Sequence, residues 1–187
     1  MSNPPEVDAA QAAAGSPGTG GLSVLTVGLA SLVVGGDQAT KALVRARLPL
    51  HSSRAVIPGL LDLTHVQNTG AAFGILNAAD FPHKAALIAV VAAVALVSIA
   101  IYAARVSPHQ LFARIGLALI LGGAAGNLID RFVAGYVIDF VDVYWGRYHF
   151  WAFNVADSAI TVGVVGMMLD MIGLGWPGPG APASPHR

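Results

Sequence analysis

The most informative stretch of this chain is residues 122–160, GGAAGNLIDRFVAGYVIDFVDVYWGRYHFWAFNVADSAI. It places charged side chains between two apolar segments. An ionised carboxylate at the centre of a bilayer costs about 2.5 to 3.5 kcal/mol on insertion scales, so acids in such surroundings usually serve a function. Asp130, Asp139, Asp142 and Asp157 all lie in this stretch. We therefore interpret it as the active site of a membrane-embedded protein, built around a pair of acids.

The composition supports a membrane protein of one domain. The 187 residues are 55% hydrophobic and only 11% charged, and the mean hydropathy is +0.66, which is unusual for a soluble chain. Ten basic and ten acidic residues give a net charge of zero without a basic tail, so a nucleic-acid partner is not expected. The chain has no cysteine, which excludes thiol catalysis, disulfides and cysteine-bound zinc.

Four apolar segments predict a mainly α membrane protein with four transmembrane helices, at about 21–41, 84–105, 111–129 and 153–175. Together they define a four-helix membrane domain over residues 21–175. The Ala-, Gly- and Pro-rich residues 1–20 and 176–187 are predicted to be disordered tails. Short β-leaning runs at 56–57 and 60–66, separated by Pro58-Gly59, predict a small sheet on the membrane surface after the first helix.

The connection between the third and fourth helices brings two acids together. Since one helix ends and the next begins on the same face of the membrane, Asp139 and Asp157 can face each other at similar depth. Two close carboxylates in a poorly hydrated site do not both ionise easily, so the pair holds one proton. The ionised member can activate water and the protonated member can polarise a carbonyl, as in an aspartic protease.

Other interpretations of the same acids stay open at this point. Asp139, Asp142, His149 and Asp157 offer oxygen and imidazole ligands that a divalent cation would accept, which suggests a metal-dependent hydrolase. Buried acids also relay protons in transporters. The second helix has no ionisable residue between Lys84 and Arg105, which weighs against a proton path.

Polar and small residues in the helices suggest further contacts. Asp37 and Lys41 are one helical turn apart and can form a pair, although a pair reaching the water–lipid boundary is an alternative. Arg131 can hold a substrate backbone or simply neutralise Asp130 or Asp139. Gly122 and Gly126 form a G-x-x-x-G pair that predicts close helix packing.

Five blocks, in order along the chain, resemble the lipoprotein signal peptidases, also called signal peptidase II. They are DQATK at 37–41, NTGAAFGIL at 68–76, GNLIDR at 126–131, GYVIDF at 135–140 and FNVADSAI at 153–160. The resemblance implies an aspartic endopeptidase of the bacterial inner membrane. It would need no metal or other cofactor, and would cut the signal peptide from a diacylglyceryl-modified prolipoprotein just before the lipidated cysteine.

The resemblance also assigns residues and topology. It matches the catalytic pair to Asp139 and Asp157, and gives a supporting or substrate-binding role to Asp37, Lys41, Asn68, Gly70, Asn127, Asp130, Arg131, Asn154 and Ala156. It implies four transmembrane helices, a small extracytoplasmic β-cradle after the first helix, cytoplasmic termini and a site near the outer leaflet. Counting basic residues alone would put the termini outside, and the resemblance overrules that count. We expect a monomer that contacts membrane lipids, with an aromatic loop at 142–151 closing over the bound peptide.

Overall fold

The computed structural model describes residues 21–70, 81–108 and 110–172. The two predicted tails at 1–20 and 176–187, and the predicted end of the fourth helix at 173–175, lie outside the described residues. The described part is helix-rich with one small antiparallel sheet, as predicted. Its helices are α1 Val24–Arg47, α2 Lys84–Ala103, α3 Leu111–Ala134 and α4 Val155–Met171; its strands are β1 Ser53–Ile57, β2 Leu61–Asn68, β3 Val137–Trp145 and β4 Tyr148–His149.

Local signals explain where the helices begin and end. The Ser23 hydroxyl accepts a hydrogen bond from the Thr26 N–H at 3.1 Å and caps the start of α1. This helix ends just before Leu48-Pro49, where the proline disfavours helical backbone in the preceding residue. The third helix extends five residues beyond its predicted end, to Ala134, and stops at Gly135, which adopts a φ of 78°. Asp130 and Arg131 therefore lie on α3 and not in the connection that follows.

Small residues let α3 pack closely against its neighbours. A Cβ atom added at Gly122 would lie 2.7 Å from the Ala30 carbonyl oxygen on α1, and one at Gly116 would lie 2.9 Å from the Gly163 carbonyl oxygen on α4. At such separations only glycine permits the two backbones to approach. The predicted packing role of the G-x-x-x-G pair is confirmed, with α3 lying between α1 and α4.

Two described helices, α2 and α3, are long and apolar enough to cross a membrane. The best 18-residue windows have mean hydropathies of 2.7 and 1.6, respectively. The helix α1 carries Asp37 and Lys41 within its length, and α4 has 17 residues. The count of four spans stays a prediction.

The sheet is larger than the sequence indicated. Its order is β1-β2-β3-β4, with antiparallel neighbours throughout. The predicted strands after the first helix are confirmed, but the prediction of a loop over the α3–α4 connection was wrong, because β3 and β4 form there. Pairing with β2 satisfies the backbone of β3 and lets it bury Ile138 and Phe140 against Val44 of α1. That contact attaches the sheet to the end of the helix bundle.

Candidate active site

The two predicted catalytic acids come from different elements. Asp139 lies on β3 with 3% of its surface exposed, and Asp157 lies in the first turn of α4. Asn154 caps that helix: its Oδ1 accepts from the Asp157 N–H at 2.9 Å, while its own N–H donates to Asp157 Oδ2 at 3.3 Å. This capping box orients the Asp157 side chain through purely local hydrogen bonds.

Three asparagine amides connect the acids to the protein. Asn154 Nδ2 donates to Asp139 Oδ1 at 2.8 Å, and Asn68 Nδ2 donates to Asp139 Oδ2 at 3.0 Å. Asn127 Nδ2 donates to Asp157 Oδ1 at 2.8 Å. Each carboxylate oxygen thus accepts one N–H, which holds both side chains in place and leaves further lone pairs for substrate or water.

Both acids line one cavity of about 460 Å³. The polar part of its lining also includes Asn68, Asn127 and Arg131. The apolar part consists of aromatic and aliphatic side chains, among them Val137, Phe150, Trp151, Phe153, Ile160 and Val162. Trp145 falls with Trp151 in the predicted closing loop at 142–151, but it is 83% exposed at the end of β3 and is not part of this lining. A cavity with convergent polar groups in an apolar wall has the character of a ligand-binding site.

Burial and charge change the acidity of Asp139. Burial and, to a smaller extent, the charge of the neighbouring Asp157 together raise the pKa of this carboxyl to about 7. The hydrogen bonds from Asn68 and Asn154 and the charge of Lys41 act in the opposite direction. A raised pKa keeps the proton on a carboxyl at higher pH. The raised pKa therefore allows Asp139 to hold a proton up to about pH 7, which is the property that a pair of acids sharing one proton would need.

A buried ion cluster supports the site from behind. Lys41 Nζ lies 2.7 Å from Asp37 Oδ2, 2.8 Å from Asp130 Oδ2 and 2.9 Å from Asn127 Oδ1. The side chains of Asp37 and Lys41 are fully buried, and that of Asp130 is 1% exposed. The predicted Asp37–Lys41 pair is confirmed, and it is buried inside the protein and not at its surface. A buried ammonium needs such partners, because an unpaired charge is costly in the interior.

The same cluster ties α1 to the start of α4. Asp37 Oδ1 accepts from the Ala156 N–H at 3.0 Å. This N–H belongs to the first turn of α4, where no carbonyl within the helix is available to accept it. The Ala156 side chain is fully buried near Gly123 and Gly126 of α3, so a larger residue has no space there. Ala156 thus has a supporting position two residues from Asn154.

Arg131 holds the turn that carries Asn68. Its Nη2 donates to the Gly70 carbonyl at 3.2 Å and its Nη1 donates to the Asn127 carbonyl at 3.2 Å. The Gly70 N–H in turn donates to Asn68 Oδ1 at 2.9 Å. Among the ion pairs of the described residues, none joins Arg131 to Asp130 or Asp139, so its charge acts on these acids only at longer range.

Sequence reasoning missed two residues of the cluster. Gln38 Nε2 lies within 3.3 Å of Asp37 Oδ2, Asp130 Oδ1 and the Gly126 carbonyl, and can donate to these acceptors. Arg45, whose side chain is partly exposed, places its Nη2 3.5 Å from Asp130 Oδ1. A glutamine beside Asp37 in an apolar helix, and an arginine one turn after Lys41, were the available signals.

The proposed metal ligands do not assemble. Asp142 pairs with His149 across β3 and β4, with 2.8 Å between Oδ2 and Nδ1. Side chains alternate along a strand, so Asp139 and Asp142 point to opposite faces of the sheet. The described residues contain no group of three or more histidine and acidic side chains placed to bind one ion. The geometry favours two acids working with the amides around them.

Gly126 gives a test of how tightly the cluster is built. A Cβ atom there would lie 2.6 Å from Asp37 Oδ2, and Lys41 and the Ala156 N–H prevent that carboxylate from moving away. We expect Gly126→Ala to lower the free energy of unfolding by about 1 to 3 kcal/mol, as overpacking does. Denaturant unfolding in detergent would measure it.

The matched control is Gly36→Ala, also in a helix but with no atom within 4 Å of the added Cβ. This variant should be unchanged, or more stable by up to about 1 kcal/mol, because alanine favours helix over glycine. Equal stabilities for the two variants would contradict the close contact at Gly126.

Comparison with known proteins agrees with this geometry. Residues 29–173 match the family model described as signal peptidase (SPase) II. The lipoprotein signal peptidase of Geobacter sulfurreducens is 50% identical over 77% of this chain and 88% of its own. That of Geobacter metallireducens is 49% identical over 76% and 85%, and that of Syntrophotalea carbinolica is 48% identical over 75% and 86%.

Solved structures are similar as well. Two structures described as a bacterial membrane enzyme superpose with TM-scores of 0.72 and 0.73, at 30% and 27% identity. They cover 82% and 81% of this chain, and 91% and 96% of their own chains, respectively. The fold and the paired acids thus define a helical membrane enzyme with a cavity at one end of its bundle. The chain belongs to the signal peptidase II family.

Proposed function

We propose that this protein removes the signal peptide from diacylglyceryl-modified prolipoproteins, cutting just before the lipidated cysteine, with Asp139 and Asp157 as the catalytic pair. The observation that carries the proposal is that both carboxylates line one cavity, held by three asparagine amides and backed by a buried lysine. Family membership supplies the reaction, and the amides supply the orientation that the reaction needs.

The chemistry follows from one shared proton. The ionised carboxylate takes a proton from a water molecule as its oxygen attacks the scissile carbonyl carbon. The protonated carboxyl meanwhile donates its proton to the carbonyl oxygen, which gives a neutral tetrahedral diol. As the diol collapses, the carboxylate that first donated its proton takes a proton back from one diol hydroxyl and the C=O bond re-forms. The C–N bond breaks, and the proton first taken from water passes to the leaving amine nitrogen. The dyad ends with its single proton restored and forms no covalent intermediate.

The supporting residues have distinct roles in this scheme. The amides that orient the acids are those of Asn68, Asn127 and Asn154. These amides are supported from behind by Asp37, Lys41, Asp130 and Ala156. Arg131 and Gly70 hold the turn beside the cavity, within reach of a substrate backbone. The apolar side chains of the cavity wall suit the hydrophobic residues of a signal peptide.

The proposed topology has four spans, cytoplasmic termini, and a site near the outer leaflet of the cytoplasmic membrane, in a protein that works as a monomer. Three features support a site at one membrane surface. The strands β1 and β2 follow the end of α1, and β3 and β4 connect the end of α3 to the start of α4. Asp139 and Asp157 lie in this connection and at the start of α4. The aromatic residues Trp145, Tyr148 and Trp151 in the same connection are 83%, 79% and 63% exposed. Exposed aromatic residues are typical of the water–lipid boundary.

Cleavage of a synthetic peptide by the purified protein in detergent would test this function. A diacylglyceryl-prolipoprotein peptide should be cut before its lipidated cysteine, and EDTA should not slow the reaction. The same peptide without the lipid should be cut at least about tenfold more slowly, because binding energy from a remote part of the substrate also serves the reacting bond.

Two results would overturn the proposal. Loss of cleavage in EDTA would indicate a metal-dependent hydrolase. Absence of cleavage, together with proton or solute flux in proteoliposomes, would indicate a transporter.

A further inference from the structure

The surroundings of the two acids are not equivalent. Asp157 accepts from Asn127, whose own Oδ1 is 2.9 Å from the Lys41 ammonium, and from a backbone N–H at the start of α4. Asp139 accepts from the neutral amides of Asn68 and Asn154, and lies on a strand. One acid therefore has a cation behind its donor and a helix N-terminus beside it, while the other has neither.

Lys41 determines which way the Asn127 amide points. An ammonium group can only donate hydrogen bonds, so the Asn127 atom facing it must be the oxygen Oδ1. The Nδ2 of the same amide is then directed to Asp157. Because the cation polarises the amide, this donor is stronger than a neutral one. The N-terminus of α4 adds a further preference for negative charge at Asp157.

The geometry points to a fixed division of roles in the dyad, which rests on the proposed function. Lys41, acting through Asn127, makes Asp157 the carboxylate that carries the negative charge and takes the proton from water. Asp139 is the carboxyl that holds the shared proton and donates it to the scissile carbonyl oxygen. Lys41 and Asn127 are positioning residues in this scheme.

The other charged groups near the dyad are compatible with this division. Lys41 acts electrostatically on both acids, and Asp37 on α1 acts on Asp157. Arg131 on α3 acts electrostatically on Asp157, Asp139 and Asp130, and so favours the ionised form of both acids of the pair. The raised pKa of Asp139 agrees with a carboxyl that holds the shared proton below about pH 7.

The pH dependence of kcat/KM can separate the two roles. In a bell-shaped profile the acid limb reports the group that must be ionised, and the alkaline limb reports the group that must be protonated. We expect Asn127→Ala, which removes a donor from Asp157, to move the acid limb up by about one pH unit. Asn68→Ala, which removes a donor from Asp139, should move the alkaline limb up by about one pH unit, as expected for one lost hydrogen bond to a carboxylate.

The opposite pattern, with Asn127→Ala moving the alkaline limb and Asn68→Ala the acid limb, would reverse the assignment. Equal movement of both limbs in both variants would show that no fixed division exists. A wild-type protein that cleaves nothing would instead refute the proposed function, so the two failures are distinguishable.

If a variant is too inactive to profile, carboxyl ¹³C NMR of the wild-type protein reads the same division. Asp139→Asn and Asp157→Asn identify the two signals by their disappearance. The Asp139 signal should be that of a protonated carboxyl at pH 6, and the Asp157 signal that of a carboxylate. A protonated Asp157 beside an ionised Asp139 at this pH would overturn the proposal.

Discussion

Asp139→Asn and Asp157→Asn should each lower kcat for the diacylglyceryl-prolipoprotein peptide by at least about a hundredfold. Loss of a general acid or base typically costs about 10² to 10⁴ in rate. Asparagine has almost the shape of aspartate, so each variant keeps the packing of β3 or α4 while removing one proton-transfer group. The measurement is turnover of the purified variants in detergent, with folding checked by thermal unfolding.

Asp142→Asn is the matched control. Asp142 lies three residues from Asp139 on the same strand, but it faces His149 on β4. Its substitution should leave turnover within about twofold of wild type, because surface ion pairs contribute little. Near-normal turnover in either dyad variant would show that the catalytic pair is assigned wrongly. An inactive Asp142→Asn protein would return attention to the set of acids proposed as metal ligands.

Lys41→Met should be among the most destabilising single substitutions in the chain. Methionine fills similar space, but it leaves Asp37 and Asp130 buried without the cation that lies 2.7 and 2.8 Å from their oxygens. Removing one partner of a buried ion pair costs about 3 to 5 kcal/mol. Denaturant unfolding in detergent should show a loss of this size, and activity should fall with it because the Asn127 amide loses its anchor.

Arg45→Met provides the comparison, since Arg45 also contacts Asp130. Its side chain is 42% exposed and its Nη2 is 3.5 Å from Asp130 Oδ1, so the loss should stay below about 1 kcal/mol. Adding Asp37→Asn and Asp130→Asn to Lys41→Met should recover most of the lost stability, because no unpaired charge remains in the interior. If Lys41→Met unfolds like wild type, or if the added substitutions make it worse, the cluster does not stabilise the fold as described.

Parts of this architecture could be predicted because they depend on neighbours in sequence. Apolar runs and the prolines and glycines between them located the helices and the first two strands. The spacing of Asp37 and Lys41 placed both on one helical face. The five blocks of family resemblance, in order, pointed to the signal peptidase II family. The tails at 1–20 and 176–187 and the number of spans stay predictions.

Other features became visible only in the folded chain. The run at 137–145, VIDFVDVYW, is rich in the β-branched and aromatic residues that favour a strand, a signal that the predicted loop overlooked. Its pairing partner could not be predicted in the same way, because β2 lies some 70 residues earlier. The same pairing brings Asn68 to Asp139. Gln38 likewise gains its place only when α3 presents Asp130 to it.

The sequence by itself thus determined the helices, the membrane character, the family, and which acids were candidates. The tertiary structure decided which amide faces which acid, that Lys41 is shared between Asp37 and Asp130, and that Gly126 leaves room for a carboxylate. The physical reason is the range of the interactions. Helix formation and capping act over about four residues and leave a readable pattern. The hydrogen bonds that orient the dyad mostly join separate elements, and exist only once α3 is packed between α1 and α4.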